Sequence, residues 1–398
     1  MIAGGLRVLA ISDDSPLLRA CRLGLPLFEL KTSGLIESYF ISGSSLIEVP
    51  SESSFDVLWL QRCNNPGLIA RLAARLDGRY LLDVDDYLVG NAAYLPHGRL
   101  SGREAVARAV RECSVLTVTS SRLVTMLDDA TRSELRSKTV VCPNALAAPA
   151  RMRTPERPAG MLMTQSDRVA LTRSQTAVLS AVCTVAQRHE LPITYVGVPS
   201  AELARLAEHH GSRLVALGHL DYWHYHTRLT TWPTLLGICP LETQADDETL
   251  KFIRGKSDVK MVEFAGRGHP AVYSRAEPYV DTDLRAGLLA DNDERAWVEA
   301  LEHVLASGWR AAADEQAQVC DRRAADRVAR ECWLPALHQA RLKAPLSGQE
   351  LRRVLGSVGR PLQAFIGVTA QADRVLQGRV AWRLEQVLRG LARAGDEC

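Results

Sequence analysis

The sequence is poor in the features that mark several large classes of protein. Its 48 Lys and Arg against 46 Asp and Glu leave a net charge of +2, too little for the cationic surface with which nucleic-acid proteins gather phosphates. No run approaches the ~20 apolar residues of a membrane span. The opening MIAGGLRVLAISDD lacks the basic region followed by a long apolar region that a secretory signal needs. The nine cysteines (Cys21, Cys63, Cys113, Cys142, Cys183, Cys239, Cys320, Cys332 and Cys398) include no C-x-x-C pair and have no histidine companion at zinc-like spacing. They read as reduced core thiols rather than a disulfide or metal framework. A cytoplasmic chain with no nucleic-acid partner and no metal is the expectation.

What is present is an alternation. At 398 residues the chain exceeds what one hydrophobic core usually organises, and 46% hydrophobic with 24% charged residues is ordinary for a globular protein. Apolar runs of strand length, LRVLAI, DVLWLQ, RYLLDV and VLTV, are separated by segments of helical period such as LIARLAARL and SGREAVARAVREC. The latter opens with the capping-box pair Ser101 and Glu104. Strand, helix, strand in this order implies a parallel sheet wrapped by helices. The stretch from Ala147 to Gly160 interrupts it with three prolines and reads as a linker. The alternation then restarts, with ITYVGV, RLVALG, LLGICPL, PAVYS and GLL as strands.

Two halves of comparable size predict an α/β chain of two doubly wound, Rossmann-like domains facing a cleft, over residues 1–150 and 151–310. A helical C-terminal extension, 311–398, follows. Its stripe of Val375, Leu376, Val380, Leu384, Val387, Leu388 and Leu391 reads as a face packed on the domains or on a second copy. The alternative is peripheral contact with the cytoplasmic membrane face or with a partner protein.

In open parallel sheets, ligands gather outside the carboxyl ends of the strands, and three stretches fall there. LLDVDDYLVG carries Asp83, Asp85 and Asp86; ICPLE leads through a polar segment to Lys256; and SDVKMVEFAGRGHPAV follows from Ser257. Ser257 reads as the N-cap of a helix whose first amides, beside Lys256 and Lys260, would seat a diphosphate. Glu263 lies one turn further, where a carboxylate accepts hydrogen bonds from ribose hydroxyls. Taken alone, Lys260 and Glu263 read first as a solvated surface ion pair at i,i+3, and their position before G-x-G-x-P reverses that preference. Asp85 and Asp86 read as orienting an acceptor or assisting as a base, with helix capping as the other reading. His97 reads as a loop residue, and DYWHYH (221–226) as an aromatic helix start without ligand spacing.

The succession GICPL, KSDVKMVEFAGRGHPAVYS, PYV and GLLADNDERAWVEALEHVL resembles the donor-binding half of retaining GT-B glycosyltransferases of the family 4, or group 1, type. LLDVDDYL, CSVLTVTSSRLVTML and VVCPNAL resemble the N-terminal half of the same enzymes, and the likeness runs over roughly residues 50 to 310. It implies a metal-independent transferase that takes a nucleotide diphosphate sugar as co-substrate and no further cofactor. The acceptor would be a glycan or a lipid-linked sugar, in polysaccharide or cell-envelope synthesis. By this resemblance Glu263 contacts the ribose, Lys256, Ser257 and Lys260 attend the diphosphate, and Asp85 and Asp86 face the cleft from the acceptor side. The first glutamate of the family's E-x7-E pair falls at position 255, where Gly255 stands, and the early basic clamp has only Arg168 and Arg173 as substitutes. Two rivals follow: a degenerate copy that binds without transfer, and a sugar-nucleotide epimerase of the same architecture.

Overall fold

The computed structural model describes residues 5–12, 16–43, 49–62, 79–89, 101–147, 152–164 and 173–355. His97, Arg168, the LIARLAARL segment and the arginine-rich C-terminal stripe lie outside the described residues, as does the side chain of Arg173.

Two six-stranded parallel sheets carry the fold. The first has the order β2-β1-β4-β5-β6-β7, with β1 at Arg7–Ser12, β2 at Ser38–Ser42, β4 at Val57–Gln61, β5 at Leu81–Val84, β6 at Val115–Val118 and β7 at Thr139–Val141. Register is set by pairs such as Val8 with Val57, Leu60 with Leu82, and Asp83 with Thr117. The second has the order β10-β9-β8-β11-β12-β13, with β8 at Met161–Thr164, β9 at Ile193–Val196, β10 at Leu214–Ala216, β11 at Leu236–Cys239, β12 at Ala271–Ser274 and β13 at Leu288–Ala290. Both are the doubly wound arrangement of the GT-B fold. The chain order reverses between β1 and β4 in one sheet and between β8 and β11 in the other, which marks the crevices where ligands enter.

Strands buried on both faces explain the near-continuous apolar runs. On β8, Met161 and Met163 face a core shared with the helices Arg173–Arg188 and Glu294–Ala306. Leu162 between them faces a second core with the helices Tyr222–Thr231 and Val259–Ala265. Strands β2 and β8 are among those missing from the sequence reading. SYFIS is only half buried at a sheet edge, and MLMT is too short for its period to show. A helix follows β6 over Ser121–Thr131, and Ser120 caps it by accepting from the Leu123 amide.

The chain does not end with the second sheet. After the helix Ala312–Arg323 it returns to the first domain, where Val328, Ala329, Trp333, Ala336 and Leu337 join the core of β1 and β4. Trp333 stacks on Trp59 with ring centroids 4.3 Å apart. A short antiparallel pair, β3 (Ser54–Phe55) with β14 (Leu346–Ser347), fastens the returning segment. Part of the stretch from 311 onward thus belongs to the first domain's core, and both sheets lie in one compact unit ending at Leu351. The described cysteines are all free thiols. No described helix is long and apolar enough to cross a membrane.

Candidate functional site

At the carboxyl end of the first sheet the acidic stretch is held by arginines. Asp83, on β5 and fully buried, takes a bidentate pair from Arg22, with Nε to Oδ2 at 3.0 Å and Nη2 to Oδ1 at 2.6 Å. Thr117 donates to the same carboxylate at 2.9 Å. Arg22 also donates to the Cys142 carbonyl at 2.8 Å and to Asn144 Oδ1 at 3.3 Å, and it lies 4.7 Å from the centre of the Trp333 ring. Such planar, fully used guanidinium geometry is what Arg offers and Lys does not.

Arg62, which follows β4 with φ of +45°, bridges Asp85 and Asp86. Its Nη2 lies 2.6 Å from Asp86 Oδ2. Burial alone would raise the Asp85 carboxyl, but the charge and hydrogen bond of Arg62, with Arg22 behind, hold it below the usual carboxylate value. At Asp86 burial outweighs Lys256 and Arg62 and pushes the value up. Asp86 is therefore the member of the pair that takes a proton more readily.

The first domain grasps the turn Arg254–Ser257 of the second. Arg122, at the start of the helix Ser121–Thr131, donates to the carbonyls of Arg254 at 2.6 Å, Lys256 at 3.0 Å and Glu277 at 2.9 Å. Arg254 is the last residue of the helix Asp247–Arg254, whose carboxyl end favours a cation. Asn144 Nδ2 donates to Ser257 Oγ at 2.8 Å. Gly255 lies against Tyr87: a Cβ there would collide with that of Tyr87 and stand 2.9 Å from its backbone nitrogen. With φ of −74° the glycine is required for space, not for conformation. The position of the resembled family's first glutamate is filled by the opposite domain.

Glu263 projects from the helix Val259–Ala265, between β11 and β12, and is 8% exposed. Its Oε2 accepts from Lys260 Nζ at 2.8 Å and from the Tyr225 hydroxyl at 3.1 Å. Burial would raise this carboxyl, but Lys260, the neighbouring His226 and the two hydrogen bonds outweigh it, and its value is lowered. The group is a buried, ionised acceptor. Its partners, a lysine and a phenol, are ones a polar ligand can displace more readily than a bidentate arginine.

The structure brings Lys260 and Glu263 together and sets Lys256 within electrostatic reach of Asp86 across the domain boundary. The Lys256 ammonium lies over the Phe252 ring at 4.5 Å. Ser257 is not the N-cap that the sequence pattern suggests. The helix starts at Val259 behind Asp258, which makes no side-chain cap because its carboxylate binds Arg323 and Thr282 instead. Among the described residues no group of three or more His, Cys, Asp or Glu side chains is placed to hold a metal ion.

Sequence reasoning missed three neighbours of Glu263. Asp221 caps the helix Tyr222–Thr231 by accepting from the His224 amide, and Tyr222, Tyr225 and His226 fall on its buried face. Both ring nitrogens of His226 are buried without a hydrogen-bond partner among the described residues. Burial, only partly opposed by Glu263, takes this imidazole down to about 4. The i, i+3, i+4 spacing of aromatics behind an N-cap was the available signal.

No family model and no curated protein matches this chain. Solved structures do. Anabaena Alr3699/HepE in complex with UDP-glucose is similar at a TM-score of 0.54 and 12% identity, over 82% of this chain and 98% of that one. A putative UDP-N-acetylglucosamine 2-epimerase from Listeria monocytogenes is similar at a TM-score of 0.51 and 12% identity, over 84% and 96%. At such identities the likeness establishes the fold.

Proposed function

We propose that the chain uses a nucleotide diphosphate sugar and transfers its sugar to a glycan or lipid-linked acceptor. The observation that carries this reading is Glu263. A buried carboxylate kept ionised beside Lys260 and Tyr225, at the carboxyl ends of the second sheet's strands, is matched to a ligand with vicinal hydroxyls next to negative charge. UDP-glucose, present in the similar HepE structure, has that character.

In this reading the ribose hydroxyls donate to Glu263, and Lys260 and Lys256, with Arg173 as the further candidate, turn to the diphosphate. Stabilising the charge that develops there contributes several kcal/mol in a dry site. The bond from the sugar carbon to the phosphate oxygen breaks, and a bond to the acceptor oxygen forms on the same face with retention. The departing phosphate oxygen takes the acceptor proton. Asp86, with its raised value, or Asp85 orients the acceptor hydroxyl. No metal is required, and the work is placed in the cytoplasm or at its membrane face, in cell-envelope glycan synthesis.

Release of nucleoside diphosphate from UDP-, GDP- and dTDP-sugars, with and without crude acceptor extract, tests the reading. Acceptor-dependent release supports transfer, whereas sugar-nucleotide conversion without acceptor sinks it in favour of an epimerase, the reading that the similar Listeria fold favours. Binding without turnover would favour the degenerate copy, for which the closed contact at Gly255 speaks.

A further inference from the structure

Asn144, just beyond β7, is buried and touches both domains. Its Oδ1 lies 3.3 Å from Arg22 Nη1 and 3.9 Å from Cys21 Sγ, and its Nδ2 lies 2.8 Å from Ser257 Oγ. The two ends of a carboxamide have nearly the same shape, so their neighbours tell them apart. A guanidinium has five N–H donors and no acceptor, and Arg22 is pinned by its bidentate pair with Asp83 and by the Cys142 carbonyl. The end of Asn144 that faces Arg22 is therefore the oxygen. Cys21 agrees: burial pushes its thiol up to about 12, so it stays protonated and able to donate.

The opposite end is then the amino group, which only donates. That decides the state of Ser257: its Oγ accepts from Asn144, and its single proton is left to be given elsewhere. Among the described residues no acceptor takes that proton. The helix Val259–Ala265 does not use the hydroxyl either, since it starts behind Asp258 and has no side-chain cap. Hydrogen bonds of one direction thus run from Asp83 through Arg22 and Asn144 to Ser257, out of the first domain and into the second. What completes them must be an acceptor. Ser257 is half-buried, as are Lys256 before it and Lys260 three residues on. A hydroxyl proton between two ammonium groups suits an oxyanion, to which a hydrogen bond is roughly twice as strong as to a neutral oxygen. Without Asn144 the hydroxyl is free to rotate and to present its lone pairs instead.

We infer that Asn144 is a positioning residue of the donor seat: by occupying a lone pair of Ser257, it turns that hydroxyl into a hydrogen-bond donor to the diphosphate of the bound nucleotide. The diphosphate as the acceptor rests on the proposed function; the direction of the hydrogen bonds does not. Through this one amide the first domain completes a seat that the second domain carries.

Calorimetry with UDP on the full chain, in a double-mutant cycle over Asn144→Asp and Ser257→Ala, tests it. Aspartate keeps the shape of asparagine and still accepts from Arg22, but it takes the Ser257 proton instead of supplying one. Ser257→Ala should weaken UDP about tenfold, the loss of one hydrogen bond to a charged group. Asn144→Asp should weaken it at least as much in the parent, where the new charge adds to the lost donor. Beside Ser257→Ala its fold-loss should be about tenfold smaller, because only the charge then acts. Asn144→Ala, which adds no charge, should cost about threefold in the parent, the share of one hydroxyl well in three, and nothing beside Ser257→Ala; it stands in if Asn144→Asp lowers the melting temperature. Equal fold-losses from the Asn144 variants in the two backgrounds, or a Ser257→Ala chain that binds UDP like the parent, overturn the inference and leave the donor reading standing. A parent chain that binds no UDP overturns both.

Discussion

The buried carboxylates at the two candidate site stretches, one in each domain, are held in opposite ways. In the first, Asp83 takes a bidentate pair from Arg22, and Arg62 of the same domain bridges Asp85 and Asp86. In the second, Glu263 is held by Lys260, whose side chain is 28% exposed, and by Tyr225. An arginine fork that meets a carboxylate twice fixes it in place; a flexible lysine and a phenol leave it ready to change partners. The bidentate pair at Asp83 holds a scaffold, whereas the partners of Glu263 are ones a polar ligand can displace.

The largest disturbance of this contrast should come from Arg22→Leu. It strands Asp83 without its counter-charge and should cost about 3–5 kcal/mol in urea unfolding, as removal of one member of a buried pair does. Replacing both residues, as Arg22→Leu with Asp83→Leu, should recover much of that loss.

Acid should act next, and on the second domain. His226 and His269 are both taken down to about 4, by burial above all. The unfolded chain therefore accepts protons that the folded chain refuses as pH falls from 6.5 towards 4. Stability contributed by the neutral rings is full above 6.5 and drains through that window, by about 3 kcal/mol for each histidine at its acid end. Urea unfolding at pH 7 and 4.5 should show it, and His226→Phe should flatten the slope by one histidine's share. His269 is the structural member, since it accepts from the Leu235 amide and donates to the Leu229 carbonyl.

Glu263→Gln should sharpen the comparison. Calorimetric affinity for UDP should fall by about 1.5–3 kcal/mol, the value of hydrogen bonds to a charged group, with little change in melting temperature. Asp85→Asn in the first domain should do the reverse. The smallest effect belongs to the contact between the domains. Gly255→Ala should cost about 1 kcal/mol, at the low end for overpacking, because the interface can part. Small-angle scattering should report a larger radius, which Tyr87→Gly reduces and Tyr87→Ala, keeping its Cβ, does not.

Most strands of the two sheets were legible because strands buried on both faces must be apolar along their length. VLTV is the strand Val115–Val118, and PAVYS contains the strand Ala271–Ser274. The pair Lys260 and Glu263 was legible because three-residue spacing on a helix is a contact. Ser257 was misread as a cap because Asp258 finds better partners in Arg323 and Thr282, both distant in sequence. The stretch 221–226 was read as an aromatic helix start, and its i, i+3, i+4 spacing marks a buried face, but nothing local says that Tyr225 on that face meets a carboxylate 38 residues away.

By itself the sequence determined the alternation of strand and helix, the two doubly wound sheets and the amphipathic faces that wrap them, since these follow from hydrophobic period and local propensity. Only the tertiary structure decided which charges meet. The return of 325–347 to the first sheet, the grip of Arg122 on the turn Arg254–Ser257, the packing of Tyr87 on Gly255 and the hydrogen bond from Asn144 to Ser257 all join residues far apart in the chain. A buried ion's partner is chosen by distance and desolvation in three dimensions, and neither quantity is written in a residue's neighbours along the sequence.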